Sequence, residues 1–399
     1  MMKSITDQAR LEEIFARGTV VDVLPGRAEL MKKLLSGERL KIYIGFDPTF
    51  TSLHLGHAKN IMFLEELRQL GHEVIVLFGD FTALIGDPDK NATRKQLTPA
   101  EVKHNVSDWL RQIRPLIDFD DKANPAQIKY NSEWLTKLSF AEVLDLAANF
   151  TVQQMLERDL FAKRIKAGNP VHLHEFLYPL MQGYDSVAMD VDVELCATDQ
   201  IFNALAGRTL LKRLKHKDKF VIALNLLANP ETGELMSKST GTGVFIGQPA
   251  NDLFGAVMAL PDAMISPLYL NCTRLPLSER DALTKKGPRQ AKARVAFDIV
   301  KRFHGEKTAQ AAEESFDRTF SKGGVPEDVQ EISLVAGEPV SETLIKVGII
   351  ASKSEWRRLI EGGGIRDEDD SKITDPNYSP SETTVLKIGK RRFVKLVKL

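Results

Sequence analysis

Two cysteines among 399 residues, Cys196 and Cys272, lie far apart in no CxxC or Cys/His cluster. That excludes a disulfide framework and a zinc module, and it fits a reducing compartment. Charge of one sign is not in excess either. Lys plus Arg and Asp plus Glu both number 54, so any nucleic-acid contact must rest on local basic patches and not on a global positive field. Long uncharged apolar runs are missing. The opening MMKSITDQARLEEIFARGT breaks every apolar run with charge, which excludes a secretory signal, and no later stretch is long enough to span a bilayer. These absences point to a cytoplasmic protein with no membrane contact. Internal repeats and low-complexity tracts are also lacking. What is present is ordinary core: with 43% apolar and 27% charged residues, the chain can build two or three domains without covalent staples.

From Leu40 to about Phe220, short β-rich runs alternate with longer amphipathic ones. LKIYIGF, EVIVLFG, QIKYN and KFVIAL read as strands. Between the first two, HAKNIMFLEELRQLG carries Ile61, Leu64, Leu67 and Leu70 before Gly71, an amphipathic helix with a glycine stop. PAEVKHNVSDWLRQIRPLI and TDQIFNALAGRTLLKRLK read as further helices, so the expected class is α/β with a doubly wound parallel sheet. Residues from about Ser132 to Met189 are nearly all helical in pattern, an insertion between two halves of that sheet. After Thr242 the chain turns helical again, SKGGVPEDVQ reads as a linker, and the remainder is compact with a basic end.

The stretch GFDPTFTSLHLGHAKN places His54 and His57 around Gly56, just after an expected strand. Two histidines three apart can share a helical face, but no third ligand of metal spacing lies nearby. Gly45, Asp47, Pro48 and Gly56 are turn residues, which marks a loop at the carboxyl end of a strand entering a helix. In an open α/β sheet ligands bind there, and the free N–H groups of the helix start favour phosphate. Small Gly56 would let a nucleotide approach the backbone, with His54 and His57 as donors to its phosphates. About 180 residues on, ELMSKSTGTG puts Met236, Ser237, Lys238, Ser239 and Thr240 in a Ser/Gly-rich segment beyond the last expected strand. Taken alone, that composition also describes a solvated loop.

Together, HxGH on the first strand-to-helix turn and MSKS after the last strand resemble the two signatures of class I aminoacyl-tRNA synthetases. YIGFDPTFTSLHLGH, LIGDPDKNATR, YPLMQGYDS, ELCATDQIFN and LMSKS occur in the order and spacing of bacterial tyrosyl-tRNA synthetases, a resemblance running from about Val20 to the C-terminus. It implies a Rossmann-like catalytic domain over 1–225 with its helical insertion at about 132–189, and a mobile loop over 226–247. A helical anticodon-side domain over 248–322, a linker over 323–336 and an RNA-binding module over 337–399 would follow. The implied reaction joins L-tyrosine to ATP and then to tRNA(Tyr) in a homodimer, with Mg²⁺ accompanying ATP and no protein-bound zinc.

By the same resemblance Tyr43 and Asp185 bind the substrate phenol, Asp185 as acceptor, while Asp87, Tyr178 and Gln182 hold its ammonium. Gln200 contacts the carboxylate or α-phosphate and Asp199 the ribose. Gly45, Asp47, Thr49, His54, Gly56 and His57 surround ATP, with Lys238 and Ser239 closing on its phosphates. Arg94, with Lys90 and Lys95, neutralises the leaving pyrophosphate. Without the family, Tyr43 also suits a strand-end core aromatic, Thr198-Asp199-Gln200 a helix cap, and the basic residues after Asp87 a solvated loop.

GIIASKSEWRRLIEGGGIRDED resembles the ribosomal-protein-S4-like RNA-binding module, with Lys353, Arg357 and Arg358 on about one helical face. The C-terminal KIGKRRFVKLVKL adds Lys387, Lys390, Arg391, Arg392, Lys395 and Lys398 without an acid. A solvated charged face has the same composition; behind a synthetase core it points to tRNA phosphates.

Two positions depart from the family pattern. Leu235 stands where the mobile loop usually has its first lysine. Cys196-Ala197 replaces a usual glycine pair, with Cys196 expected to narrow the tyrosine pocket floor or change a turn. Three rival readings are a tryptophanyl enzyme, a synthetase-derived RNA-binding protein without ligase activity, and a plain HxGH nucleotidylyltransferase. Asp185 speaks against the first because a carboxylate suits a phenol, and the intact HxGH, Lys238, Asp199 and Gln200 speak against the second, although Leu235 keeps it open. The third explains neither MSKS nor the tail.

Overall fold

Parallel strands buried on both faces read as unbroken apolar runs, and in the computed structural model IYI and VIVLF fold that way: Ile42 to Ile44 and Val74 to Phe78 are all buried. The structure describes residues 4–86, 97–237, 241–321, 329–334, 339–367, 371–380, 382–389 and 392–398. It divides into two units, residues 1–249 with 256–305 and residues 250–255 with 306–399.

The first unit holds a six-stranded sheet of β1 (Val20–Leu24), β2 (Lys41–Phe46), β3 (Glu73–Phe78), β4 (Gln127–Tyr130), β5 (Val193–Ala197) and β6 (Phe220–Leu224), in the order β1-β6-β5-β2-β3-β4. All pairings are parallel except β1 with β6. The doubly wound parallel sheet is therefore present, with an antiparallel edge. Two strands were not among those read from sequence. In β1, Asp22 interrupts the apolar run and breaks the register, its carboxylate accepting from the Val23 N–H at 2.8 Å. β5 carries a buried Glu194 as its second residue, which only a partner brought by the fold can offset.

From β2 the chain winds outward to β3 and β4 on one side, and from β5 to β6 on the other, so the strand order reverses between β2 and β5. That reversal opens a crevice at the carboxyl ends of the two strands. The Leu55–Gln69 helix leaves β2 and buries Leu55, Ile61, Leu64 and Leu67. The Pro99–Ile113 helix starts on a Thr98–Glu101 capping box with Pro99 in its first turn, as its sequence predicts. Between β4 and β5 lie four short helices from Ser132 to Lys166, a 3-10 turn and the Leu177–Met189 helix.

The division of the chain differs from the sequence reading at two places. Residues 256–305 group with the sheet instead of forming part of a separate helical domain. Long-range polar bonds hold them there: buried Arg17 donates to the Thr273 and Leu275 carbonyls at 3.3 and 3.0 Å, and Arg274 pairs with Glu66 at 2.8 Å. The expected linker contains a strand. In the second unit β7 (Gln330–Leu334), β8 (Ile365–Arg366), β9 (Thr384–Ile388) and β10 (Arg392–Lys398) form a sheet in the order β7-β10-β9-β8, with β7 parallel to β10. The Val340–Lys346 and Lys353–Glu361 helices share its core of Val340, Leu344, Trp356, Ile365, Leu386 and Leu396. Among the described residues no single helix is long and apolar enough to cross a membrane.

His72, wholly buried before β3, accepts the Leu40 N–H on Nδ1 at 3.3 Å while its Nε2 has no partner. Burial, helped by nearby Arg39, lowers its pKa from 6.5 to about 4. The unfolded chain takes up this proton below about pH 6.5 and the folded chain only below about 4, so stability is complete above 6.5 and falls as pH drops through that window. Roughly 3 kcal/mol is at stake. Urea unfolding at pH 7 and pH 4.5 should show this loss, and His72→Asn, which keeps an acceptor for Leu40, should flatten the pH dependence.

Candidate active site at the strand-order reversal

The loop after β2 is clamped by one face of the Pro99–Ile113 helix. Asn105 Nδ2 donates to the Pro48 carbonyl at 2.8 Å, Trp109 Nε1 to that of Phe50 at 2.5 Å and Gln112 Nε2 to that of Thr51 at 2.7 Å, and Gln112 Oε1 accepts the Leu53 N–H at 2.9 Å. Asp47, at the start of this loop, accepts from Thr82 Oγ1 and from the Tyr178 hydroxyl, both at 2.7 Å. Gly79 makes room for it. A Cβ at Gly79 would lie 2.1 Å from Asp47 Oδ1 and 2.3 Å from Thr82 Oγ1.

At the other end of the loop the two histidines cap the Leu55–Gln69 helix. His54 Nδ1 accepts the Gly56 N–H at 3.1 Å, and His57 Nδ1 accepts the His54 N–H at 3.4 Å. A ring nitrogen that accepts carries no proton, so the neutral form of each ring keeps its proton on Nε2, which makes that atom the donor. The rings lie 4.0 Å apart between centroids, and His57 also packs edge-on to Phe46 and Phe50. Gly56 makes room for the His54 ring: a Cβ there would sit 2.8 Å from His54 Cε1. Among the described residues no group of three His, Cys, Asp or Glu could hold a metal ion.

The chain that follows the second signature meets the first through backbone. Leu55 N–H donates to the Val244 carbonyl at 3.0 Å and Ile246 N–H to that of Leu53 at 2.9 Å. Met236 N–H donates to the Leu227 carbonyl at 2.8 Å, and Thr242 Oγ1 accepts the Ser237 N–H at 3.2 Å while donating to the Leu235 carbonyl at 2.9 Å. The MSKS segment thus leaves at Ser237 and returns at Gly241 within a backbone frame joined to the histidine loop.

Behind β2 lies a polar cluster. Asp185 accepts from Trp134 Nε1 at 2.7 Å and Asn131 Nδ2 at 3.4 Å; burial pushes its carboxyl well up against the pull of these donors. Burial, followed by the fields of Glu194 and Asp185, pushes the Tyr43 phenol well up. Tyr43 bonds Ser186 Oγ at 2.9 Å, and Gln182 Nε2 donates to Glu194 at 3.2 Å while Gln182 Oε1 accepts from Asn203 at 2.9 Å. Buried Lys219 pairs with Glu194.

The model of tRNA synthetases class I (W and Y) matches residues 35–321. Tyrosine–tRNA ligase 2 of Vibrio parahaemolyticus is 40% identical over 398 residues, covering 98% of each chain. Tyrosine–tRNA ligase of Moorella thermoacetica is 39% identical over 402 residues, covering 97% of this chain and 96% of its own. The chain belongs to the bacterial-type tyrosyl-tRNA synthetases. A C-terminally truncated mitochondrial tyrosyl-tRNA synthetase of Coccidioides posadasii superposes with a TM-score of 0.63 at 25% identity, over 76% of this chain and 91% of that one.

Of the positions the sequence singles out in this tyrosyl-tRNA synthetase, Gly45 lies near the end of β2, Asp47, Thr49 and His54 on the loop after it, and Gly56 and His57 in the first turn of the Leu55–Gln69 helix, with Tyr178 joined to Asp47. Tyr43, Gln182 and Asp185 lie in the polar cluster, but Tyr43 bonds Ser186 and not Asp185. Asp199 and Gln200 follow β5 in a 3-10 turn with no side-chain cap, so the cap reading does not hold. Cys196 is buried against Ala204 and Val221, and burial pushes its thiol well up. Leu235 is 44% exposed. Asp87, Lys90, Arg94, Lys95, Lys238, Ser239, Thr240, Lys390 and Arg391 lie outside the described residues.

In the tail Arg357 and Arg358 are exposed, whereas Lys353 pairs with Glu342 at 2.7 Å and Arg392 pairs with Glu355 at 3.2 Å and donates to the Ile349 carbonyl. Arg392 is therefore occupied in bracing its own unit. Asn105, Trp109 and Gln112 escaped the sequence reading, although polar groups at i, i+4 and i+7 on a buried helix face were a signal. Asn131, Trp134, Ser186, Glu194 and Lys219 carried none, since only the fold gathers them.

Gly79→Ala forces Asp47 away from Thr82 and Tyr178. The expected result is at least about a tenfold loss in tyrosine-dependent ATP–pyrophosphate exchange with unchanged far-UV circular dichroism, corresponding to one buried charged hydrogen bond.

Proposed function

We propose that this synthetase activates L-tyrosine with ATP and transfers it to tRNA(Tyr). The observation that carries the reading is the backbone pairing of Leu53 and Leu55 at the HLGH loop with Val244 and Ile246, which follow the MSKS segment, together with a buried polar cluster that contains both Tyr43 and Asp185. In the first step the tyrosine carboxylate oxygen bonds to the α-phosphorus as the bond from that phosphorus to the bridging oxygen breaks, releasing pyrophosphate. This step needs alignment and charge stabilisation more than a general base.

Asp185 and Tyr43 receive the substrate hydroxyl, and Tyr178, Gln182 and Asp87 its ammonium. Gly45, Asp47, Thr49 and Gly56 line the nucleotide, Asp199 and Gln200 meet ribose and carboxylate, and His54 and His57 donate from Nε2 to the phosphates as their charge shifts. Lys238, Ser239 and Arg94 act on the leaving pyrophosphate. Mg²⁺ accompanying ATP would supply charge neutralisation at the phosphates, while the chain's own residues hold the nucleotide.

The C-terminal sheet and helices serve as an S4-like module in which Arg357 and Arg358 reach tRNA phosphates. Exposed Phe140, Val152 and Leu173, at 77%, 67% and 82%, all in the segment between β4 and β5, support a homodimer that covers them. The enzyme works in the cytoplasm. The tryptophanyl alternative is disfavoured by Asp185 in a cluster otherwise suited to a phenol.

Two measurements test this. ATP–pyrophosphate exchange should be fast with tyrosine and slow with tryptophan or phenylalanine, and Asp185→Ala should remove most of the tyrosine rate and its preference over phenylalanine; equal exchange with tryptophan would reject the reading. Arg357→Ala with Arg358→Ala should leave exchange intact, weaken tRNA charging and reduce the salt slope of tRNA binding by about two at most.

A further inference from the structure

Lys219 and Glu194 form an ion pair that the proposed chemistry does not use, their side chains 0% and 3% exposed. Lys219 Nζ donates to Glu194 Oε2 and, at 2.6 Å, to Ser186 Oγ. Gly207 provides the space: a Cβ there would lie 2.7 Å from Lys219 Nζ. The second carboxylate oxygen of Glu194, Oε1, accepts from Gln182 Nε2 at 3.2 Å. From there a chain of carboxamides runs to the half-buried Gln200. Gln182 Oε1 accepts from Asn203 Nδ2 at 2.9 Å, and the same nitrogen donates to Gln200 Oε1 at 2.8 Å.

The two ends of a carboxamide are alike in shape and opposite in polarity, so its orientation is set by its partners. Glu194, paired with an ammonium, is a carboxylate and only accepts. The end of Gln182 against it is therefore nitrogen, and the other end oxygen. That oxygen only accepts, so the Asn203 atom that meets it is nitrogen. Both contacts of Asn203 run from this one atom, so the end of Gln200 beside it is oxygen as well. No link in the chain has a second choice. Asn203 is 0% exposed and spends both amide protons in this way, and its Oδ1 has no partner among the described residues, so the two glutamines alone orient it.

The result is two glutamines of opposite polarity. Gln182 Oε1 has a second lone pair beyond the one that Asn203 takes, whereas the end of Gln200 turned from Asn203 is a donor. An α-amino acid carries an ammonium and a carboxylate on one carbon, which call for one acceptor and one donor. We propose that Glu194 and Asn203 are positioning residues that set Gln182 as acceptor for the α-ammonium and Gln200 as donor to the carboxylate, with Lys219 fixing the starting polarity. This rests on the reading of Gln182 and Gln200 as the ammonium and carboxylate ends. The chain has a direction: Glu194 orients Gln182, Gln182 orients Asn203, and Asn203 orients Gln200. A change at Glu194 therefore upsets both ends, and a change at Asn203 upsets the carboxylate end.

The test measures the Kd of L-tyrosine and, by competition with it, those of tyramine, which lacks the carboxylate, and 3-(4-hydroxyphenyl)propionate, which lacks the ammonium. Asn203→Leu keeps the side-chain size and removes the donors. It should weaken tyrosine and hydroxyphenylpropionate about tenfold and leave tyramine within about twofold. Glu194→Gln combined with Lys219→Met removes both charges together, leaving neither alone in the interior, and replaces the carboxylate by an amide that can accept or donate. It should weaken all three ligands, tyramine included. Asn203→Leu weakening all three equally, or none, overturns the proposal, and so does a double variant that spares tyramine. If one variant does not fold, the other decides alone. Failure of the underlying reading is separately visible: Gln200→Ala would then leave the ratio of tyrosine to tyramine affinity unchanged, and Gln182→Ala that of tyrosine to hydroxyphenylpropionate.

Discussion

Every polar group that the strand-order reversal removes from water has to find a partner in the protein, and that requirement organises the catalytic unit. Asp47 is the junction. One carboxylate oxygen takes the Thr82 hydroxyl and the other the Tyr178 hydroxyl, which ties the β2 loop, the turn after β3 and the Leu177–Met189 helix to a single group. The loop carbonyls that follow are satisfied by Asn105, Trp109 and Gln112. The histidines come next and satisfy helix-start N–H groups with Nδ1. Once these bonds are made, little freedom is left for the loop, and the donor atoms of both rings are decided before any ligand arrives.

Close approach is the other side of the same requirement. Gly79 clears the way for Asp47, Gly56 for the His54 ring and Gly207 for the Lys219 ammonium. At Gly183 a Cβ would lie 3.1 Å from the Gly207 backbone nitrogen, so the Leu177–Met189 and Ile201–Lys215 helices touch backbone to backbone. Each of these glycines is needed for absence of a side chain and not for an unusual φ.

The departures from the family pattern carry different weights in three dimensions. Cys196 looked like an intrusion into the site because a bare backbone was expected there. Its thiol packs among Ala204, Val221 and Leu205, on the same face of β5 as Glu194 two residues earlier. Leu235 lies partly open to solvent and holds its place through a backbone carbonyl that Thr242 reads, so its side chain is not part of the frame.

The sequence by itself determined the sheet class and the family, because apolar runs and short motifs are local signals. Through the family resemblance it also named Tyr43 with Asp185, and Tyr178 with Gln182 and Asp87, as two polar sets. Tertiary structure alone decided which of these groups meet: Tyr178 with Asp47, Tyr43 with Ser186, and Glu194 with Lys219, pairs drawn from distant parts of the chain. It also drew residues 256–305 to the sheet and made the end of the expected linker a strand. The physical reason is common to all of them. A local pattern records how a residue suits its own helix, strand or turn, but the direction of a buried hydrogen bond or the partner of a buried charge depends on what the fold brings against it from elsewhere.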